Sequence, residues 1–344
     1  MPTLAILSFR LGTADGVSAE AEKWRLTLES LGFETITVAG DGTADRVVPG
    51  LALDASAPPD EQGLASALKD ADIVVVENVC SLPLNPEASK AVANALRGRP
   101  AILRHHDLPW QRERFKDVRG MPPDDAAWRH VTINDLSRRE LAARGVRATT
   151  IPNAFDPDAG PGDRHRARAA VAVEGDERLL VQPTRAIARK NVAAGLNLAE
   201  ALGATYWLLG PVEEGYDEEL RAIFAAASTR TIFGPAPGVS VADMYAAADA
   251  IVLPSSWEGF GNATIESAIH RRPLAIGPYP VAAEIAAYGF RWFPVRDPKP
   301  LRAWLRAPDD TVLELNHAIA RRHFSLETLR ARLRKLLADA GWMT

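Results

Sequence analysis

Cysteine is nearly absent. Cys80 is the only one in 344 residues, so no intrachain disulfide and no thiolate-only metal site can form. A reducing, cytoplasmic setting is the expected one. A basic excess is also missing. Forty Lys and Arg stand against 44 Asp and Glu, a formal net charge of −4, which argues against a protein that coats nucleic acid. No apolar run reaches the ~18 residues that a membrane-spanning helix needs. The N-terminal Met-Pro-Thr-Leu-Ala-Ile-Leu-Ser has no basic segment ahead of its apolar one, and a signal peptide is not expected. There is no G-x-G-x-x-G after a strand, no G-x-x-x-x-G-K-[ST], no H-E-x-x-H and no G-x-S-x-G. Nicotinamide dehydrogenases, P-loop NTPases, zinc peptidases of that motif and serine hydrolases of that motif are disfavoured accordingly.

What is present is ordinary globular material, 47% hydrophobic and 24% charged, enough for two domain cores. Short apolar runs alternate with helix-length amphipathic segments throughout. Strands are predicted at Leu4–Leu7, Thr35–Val38, Ile73–Val76, Ala101–Leu103, Val131–Ile133 and Thr149–Ile151, and a helix at Ser18–Leu31 with Ser18 as its cap. Asn153–Ala170 is rich in Pro, Gly and Asp, has no apolar period and reads as a linker. Strands resume at Leu179–Gln182, Tyr206–Leu209, Thr231–Phe233, Ile251–Leu253 and Leu274–Ile276, and Ser325–Ala340 reads as a closing amphipathic helix. Continuous apolar strands joined by helices form parallel sheets covered on both faces. The expected architecture is α/β, with two Rossmann-like domains at 1–155 and 170–324, and a C-terminal helix at 325–344 that returns to the first. Ligands of such sheets lie beyond the carboxyl ends of the strands, and the cleft between two of them is the default site.

The most informative turn is Leu253-Pro-Ser-Ser-Trp-Glu-Gly-Phe-Gly-Asn-Ala-Thr-Ile-Glu266, where a buried strand passes through a loop into a helix. Such a helix start offers free N–H groups to an anion. Glu258 in the loop and Glu266 one turn into the helix can face one pocket. A carboxylate beside a diphosphate would be repelled, so these two suit sugar hydroxyls; the plainer alternative is a capped helix with a solvated Glu266. A second turn, Gln182-Pro-Thr-Arg-Ala-Ile-Ala-Arg-Lys-Asn191, carries Arg185 and Lys190. An Arg fork and a Lys point charge converging on one anion fit a diphosphate leaving group, whose negative charge grows as its bond breaks. A solvated basic turn is the alternative.

Together these segments resemble the retaining GT-B glycosyltransferases of the GT4 type. The E-x7-E motif of that family corresponds to Glu258 and Glu266, and its Arg and Lys to Arg185 and Lys190. Ile151-Pro-Asn-Ala-Phe-Asp156 looks like its "IPNGVD", and Ile133-Asn-Asp-Leu-Ser-Arg-Arg-Glu-Leu141 like the helix before it. Phe233-Gly234 matches its "F-G" turn, Asp243–Pro254 the approach to E-x7-E, and Pro273 with Glu284 its "PV…E" stretch. The resemblance implies the GT-B fold, two Rossmann-like domains facing across a cleft, and metal-independent transfer of a hexose, with retention, from a nucleotide diphosphate sugar. GDP-mannose and UDP-glucose are the expected donors, and a sugar, glycoside or small-molecule hydroxyl the acceptor. By the same resemblance Arg185 and Lys190 bind the diphosphate and Glu266 the ribose. Glu258, with backbone groups of Phe260, Gly261 and Asn262, holds the donor sugar, and Phe233 and Gly234 edge the base.

Two N-terminal turns complete the expected site. Arg104-His-His-Asp-Leu-Pro-Trp110 resembles the family's "H-D" turn, which places His106 at the sugar and Asp107 and Trp110 towards the acceptor. A satisfied histidine pair and a His-His-Asp metal site are the alternatives. Gly12-Thr-Ala-Asp-Gly-Val-Ser18 resembles the Gly-rich first loop, with Gly16 at the donor phosphate and Asp15 and Ser18 at the acceptor; a plain β–α turn is the alternative. The family's usual Gly before the "PV" strand is replaced here, Arg271 and Arg272 preceding Pro273. No resident cofactor, metal or nucleic-acid partner is expected. Basic residues Arg112, Arg114, Lys116 and Arg119 near Trp110 and Phe115, followed by Arg138, Arg139, Arg144 and Arg147, are read as solvated helix faces in preference to a membrane-docking patch. The alternatives to a transferase are an epimerase or phosphorylase on the same fold and a non-catalytic nucleotide-sugar binder.

Overall fold

The protein is described here by a computed structural model that covers residues 1–13 and 15–343; Ala14, in the expected first loop, and Thr344 lie outside the described residues. The chain divides into two units, residues 1–154 with 326–344, and residues 155–325.

The first unit is built on seven parallel strands: β1 (Thr3–Leu11), β2 (Glu34–Gly42), β3 (Arg46–Val47), β4 (Ile73–Glu77), β5 (Ala101–His105), β6 (Trp128–Thr132) and β7 (Ala148–Thr150). Their order is β3-β2-β1-β4-β5-β6-β7. Alternate residues of β1 and β4 serve opposite faces, as a strand's period of two demands. Ala5, Leu7, Val74 and Val76 enter one core, while Leu4, Ile6, Ile73 and Val75 enter the other. The second core is closed by the C-terminal helix Leu326–Asp339, whose Leu329, Leu333, Leu336 and Leu337 pack with Trp24 and Leu28 of the helix Gly16–Ser30.

The second unit has six parallel strands, β8 (Leu179–Gln182), β9 (Thr205–Leu208), β10 (Thr231–Phe233), β11 (Ala250–Leu253), β12 (Leu274–Ile276) and β13 (Phe293–Pro294), in the order β10-β9-β8-β11-β12-β13. In both sheets the order reverses between the first and fourth strands, and a doubly wound sheet opens its ligand crevice at such a reversal.

Four expectations are corrected. The strands β3 and β13 escape a pattern search because each has only two residues. The first helix starts at Gly16, not Ser18, because the Asp15 carboxylate accepts from the N–H groups of Val17 and Ser18 at 2.9 and 3.1 Å. The second unit begins at Phe155 rather than 170. Within the expected linker, Arg164–Ala170 is a helix capped by Asp163. Arginines anchor it where apolar residues ordinarily would: Arg164 reaches the carbonyl of Ala247 and the carboxylate of Asp249 at 2.9 and 2.6 Å, Arg166 pairs with Asp243, and Arg168 reaches the Ala247 carbonyl at 3.0 Å.

Candidate active site

In the second unit the turns after β8 and β11 meet at the reversal of strand order. The Arg189 carbonyl accepts from the Ser256 N–H at 2.9 Å, which joins the two turns, and the Lys190 carbonyl accepts from Gln182 Nε2 at 3.1 Å, which holds the first turn to the end of β8. Lys190, almost fully buried, donates from Nζ to Glu258 Oε1 at 2.5 Å. Ser255 Oγ donates to the same oxygen at 2.6 Å, and Arg189 Nη1 donates to Oε2 at 3.1 Å and to the Trp257 carbonyl at 3.0 Å. Arg185, nearer the surface, donates to Glu213 Oε2 at 2.5 Å.

The electrostatics follow from this crowding. Burial alone would raise the Glu258 carboxyl, but Lys190 and Arg189 overcome it and hold Glu258 below the usual carboxylate range. Burial pulls Lys190 below its ordinary value; Glu258 opposes that pull, and Arg189 and Arg185 add to it. Three cations therefore share one buried carboxylate and one exposed one, so the turn retains attraction for a further anion.

Sequence reasoning expected Glu258 to hold the donor sugar and placed Arg185 and Lys190 at the diphosphate. The structure instead gives Arg189 and Lys190 one carboxylate, and Glu258 holds both cations in place with its two oxygens already engaged. Glu266 lies in the helix Ala263–Ile269 and accepts from the buried Tyr245 hydroxyl at 2.7 Å, a partner the motif did not reveal. Phe260 turns its ring inward, stacked on Phe155 with 6.3 Å between centroids, which leaves its backbone as the part that can meet a ligand. Gly261 has φ +86°, and a Cβ there would lie 2.3 Å from Tyr279 Oη, so the loop before the helix requires glycine. Asn262 immediately precedes that helix. Phe233, half exposed, packs edge-on against Phe224, and the Gly234 carbonyl accepts from Trp207 Nε1 at 2.8 Å.

In the first unit, His106 follows β5 and is nearly buried. Its Nε2 donates to Glu77 Oε2 at 2.8 Å. Glu77 ends β4, opposite Arg104 in register, and its Oε1 accepts from Arg104 Nη1 at 3.1 Å. Arg104 also reaches Glu20 Oε2 and Asn153 Oδ1, each at 3.1 Å. Burial would raise Glu77; Arg104 and His106 together hold it below the usual range. Glu77 was missed from the sequence, although a lone acid closing the run Ile-Val-Val-Val-Glu is itself a signal.

His105, His106 and Asp107 diverge. His105 contacts Ser81 and His130, His106 contacts Glu77, and Asp107 accepts from Arg112 at 2.7 Å, so the His-His-Asp metal alternative has no common centre. Among the described residues no group of three His, Cys, Asp or Glu is arranged to hold a metal. Asp107 Oδ1 is buried with no hydrogen-bond partner among the described residues. Trp110 donates from Nε1 to Glu140 at 2.7 Å and lies under the Arg144 guanidinium, 3.6 Å from the ring centroid.

The Asp15 carboxylate is spent on capping, and Ser18 Oγ donates to it at 2.8 Å. Gly12, at φ +70°, would bring a Cβ to 2.7 Å from Thr43 Cβ, whereas a Cβ on Gly16 would meet nothing within 4 Å. Of the two, Gly16 is the one with open space for a ligand. Of the basic residues beyond Trp110, Arg112 pairs with Asp107, Lys116 with Glu113, and Arg138 and Arg139 with Asp135.

No protein-family model matches the chain. The mannosylglucosylglycerate synthase of Thermotoga maritima is 24% identical, over 95% of this chain and 97% of that protein. The mannosylglucosylglycerate synthase of Petrotoga mobilis is 26% identical, over 83% of this chain and 85% of that protein. Among solved structures, Anabaena HepE in complex with UDP and glucose matches 98% of this chain and 100% of its own, with a TM-score of 0.73 and 16% identity.

Proposed function

We propose that this chain, which has the GT-B glycosyltransferase fold, transfers a hexose with retention of configuration from a nucleotide diphosphate sugar to the hydroxyl of a small glycoside. The observation that carries the reading is the cluster of Arg185, Arg189 and Lys190 at the strand reversal of the second unit, with Glu258 as its one buried counter-charge. The donor's diphosphate would replace Glu213 on Arg185 and share Lys190. Glu266 would take the ribose, and Phe233 and Gly234 would edge the base.

In the step itself, the bond from the sugar's anomeric carbon to the phosphate oxygen breaks, and its electron pair leaves with the diphosphate. The acceptor oxygen bonds to the same face of that carbon, and its proton passes to the departing phosphate oxygen. Arg185 and Lys190 stabilise the charge growing on the leaving group. Both oxygens of Glu258 are engaged by Lys190, Ser255 and Arg189, and both of Glu77 by Arg104 and His106. Glu258 and Glu77 therefore offer no open oxygen for a covalent sugar intermediate, and Asp107, whose Oδ1 is open, is given to the acceptor hydroxyl in this reading, which leaves the front-face route. His106, oriented by Glu77, suits a sugar hydroxyl, and Asp107 Oδ1 an acceptor hydroxyl. The cluster supplies the positive charge that the diphosphate needs, and the proposal assigns no metal.

The names of the sequence relatives favour a mannosyl donor and a glucosylglycerate acceptor, while HepE, with UDP and glucose, favours UDP-glucose. The test is to incubate the protein with glucosylglycerate and either GDP-mannose or UDP-glucose, and to read the anomeric proton of the product. One donor is expected to give a product with the donor's own anomeric configuration. The opposite anomer contradicts retention. A nucleotide sugar that raises the melting temperature without transfer or hydrolysis marks a non-catalytic binder instead.

A further inference from the structure

The second unit has a cavity of about 540 Å³ lined by none of the candidate active-site residues; Pro157, His270, Arg271, Arg272, His317 and Arg321 are among those that line it. It lies at the C-terminal end of the helix Ala263–Ile269. The Arg272 N–H bonds the Ser267 carbonyl at 2.8 Å and the Arg271 N–H the Ala268 carbonyl at 3.2 Å, so the helix ends in the motif that usually places glycine at its left-handed position. Here that position is Arg271, at φ +50°. The strain is tolerated at the rim of a cavity, where strained backbone often marks function.

The cations around the cavity are not equivalent. Arg271 is paired with Glu314 at 2.5 Å, and its Nη2 lies 3.4 Å from His317 Nδ1, while His317 Nε2 donates to the Pro157 carbonyl at 3.1 Å. Arg321 is paired with Asp158. Arg272 has no hydrogen bond or ion pair from its side chain among the described residues, and its Nε is buried without an acceptor. Burial and the nearby Arg164 depress its pKa, against Asp249. His270 Nδ1 is likewise buried and unpartnered. Burial and Arg272 push the ring down to about 4, so at neutral pH it holds no charge that would repel Arg272. Asp310, the remaining acid of the rim, is exposed in the first turn of the helix Asp310–Phe324, where a helix start favours negative charge. A mostly buried guanidinium with no acceptor is costly to retain, and it directs the cavity towards an anion.

We propose that this cavity is a second binding site, for the phosphate group of a small soluble metabolite, held by the free guanidinium of Arg272. Its volume falls in the range of small-molecule sites and exceeds what a bare phosphate would fill.

The test is a thermal melt of the full chain and of Arg272→Met in chloride buffer, with and without inorganic phosphate. Phosphate bound at Arg185 and Lys190 shifts both chains alike, so the difference between them reports the cavity. The wild type is expected to gain about 5 °C more than the variant at phosphate about a hundredfold above its dissociation constant. Without phosphate, Arg272→Met is expected to melt at or above the wild type, because it removes an uncompensated buried charge, and Arg272→Lys is expected to recover part of the phosphate response. Equal phosphate responses in wild type and Arg272→Met overturn the proposal. So does an Arg272→Met chain that is unfolded or melts well below the wild type, since Arg272 would then serve the fold itself. The readout needs no catalysis, so its failure leaves the transferase reading standing.

Discussion

Lys190→Ala is expected to lower kcat/KM by about 10²–10³-fold, the loss that follows removal of one preorganised donor from a developing oxyanion. The ammonium is buried beside Glu258 and sits among Arg185 and Arg189, so it is held in place before the donor arrives. The largest part of the loss should fall on kcat, because the charge on the leaving oxygen is greatest as the sugar bond breaks. A smaller rise in KM should accompany it, since the diphosphate is already charged in the ground state. The fold should survive, because Glu258 keeps Arg189 and Ser255 as partners. Wild-type turnover in a folded Lys190→Ala chain would remove this residue from the mechanism.

Arg104→Met is expected to cost about 3–5 kcal/mol of stability, the usual consequence of removing one partner from a buried ion network. Arg104, Glu77 and Glu20 are 0%, 0% and 1% exposed, so water cannot replace the lost guanidinium. Glu77 would keep His106 alone, and Glu20 would keep Lys23. The melting temperature should fall by on the order of 10 °C. The effect should also depend on pH. In the wild type Glu77 is held below its unfolded value, so the stability it contributes is present above that value and is lost as pH falls through the folded one. Without Arg104, burial raises Glu77 instead. The gap between the two chains is therefore expected to be widest at neutral pH, to begin narrowing above the ordinary glutamate range as Glu77 of the variant takes up its proton, and to narrow further below it as Glu77 of the wild type does. A change of less than about 2 °C at neutral pH would show that the network adds little.

The two sheets were legible because buried parallel strands are written as continuous apolar runs, and β8, β10 and β12 fall at their expected bounds. The second unit's turns could be picked out because their candidate residues are local in sequence: Arg185 and Lys190 follow one strand, and Glu258 and Glu266 another. What could not be read is what register and packing bring together. Glu77 meets Arg104 only because β4 and β5 pair at those two residues. Tyr245 meets Glu266 across two helices. Arg189 joins Lys190 on one carboxylate because a tight turn at Ala188–Lys190 brings both cations to Glu258, an arrangement that residue spacing alone does not encode. The helix Arg164–Ala170 was invisible to an apolar pattern because Arg164, Arg166 and Arg168 anchor it through carbonyls and acids.

The most direct measurement of the diphosphate claim is a calorimetric comparison of GDP with GMP, and of UDP with UMP, on the wild type and on Lys190→Ala. One pair should show the diphosphate binding about 10- to 100-fold more tightly than the monophosphate, the worth of one or two charge-assisted hydrogen bonds to the second phosphate. In Lys190→Ala that ratio should shrink towards unity. Equal affinities for diphosphate and monophosphate in the wild type, or a ratio untouched by the substitution, would contradict a diphosphate held by this cluster.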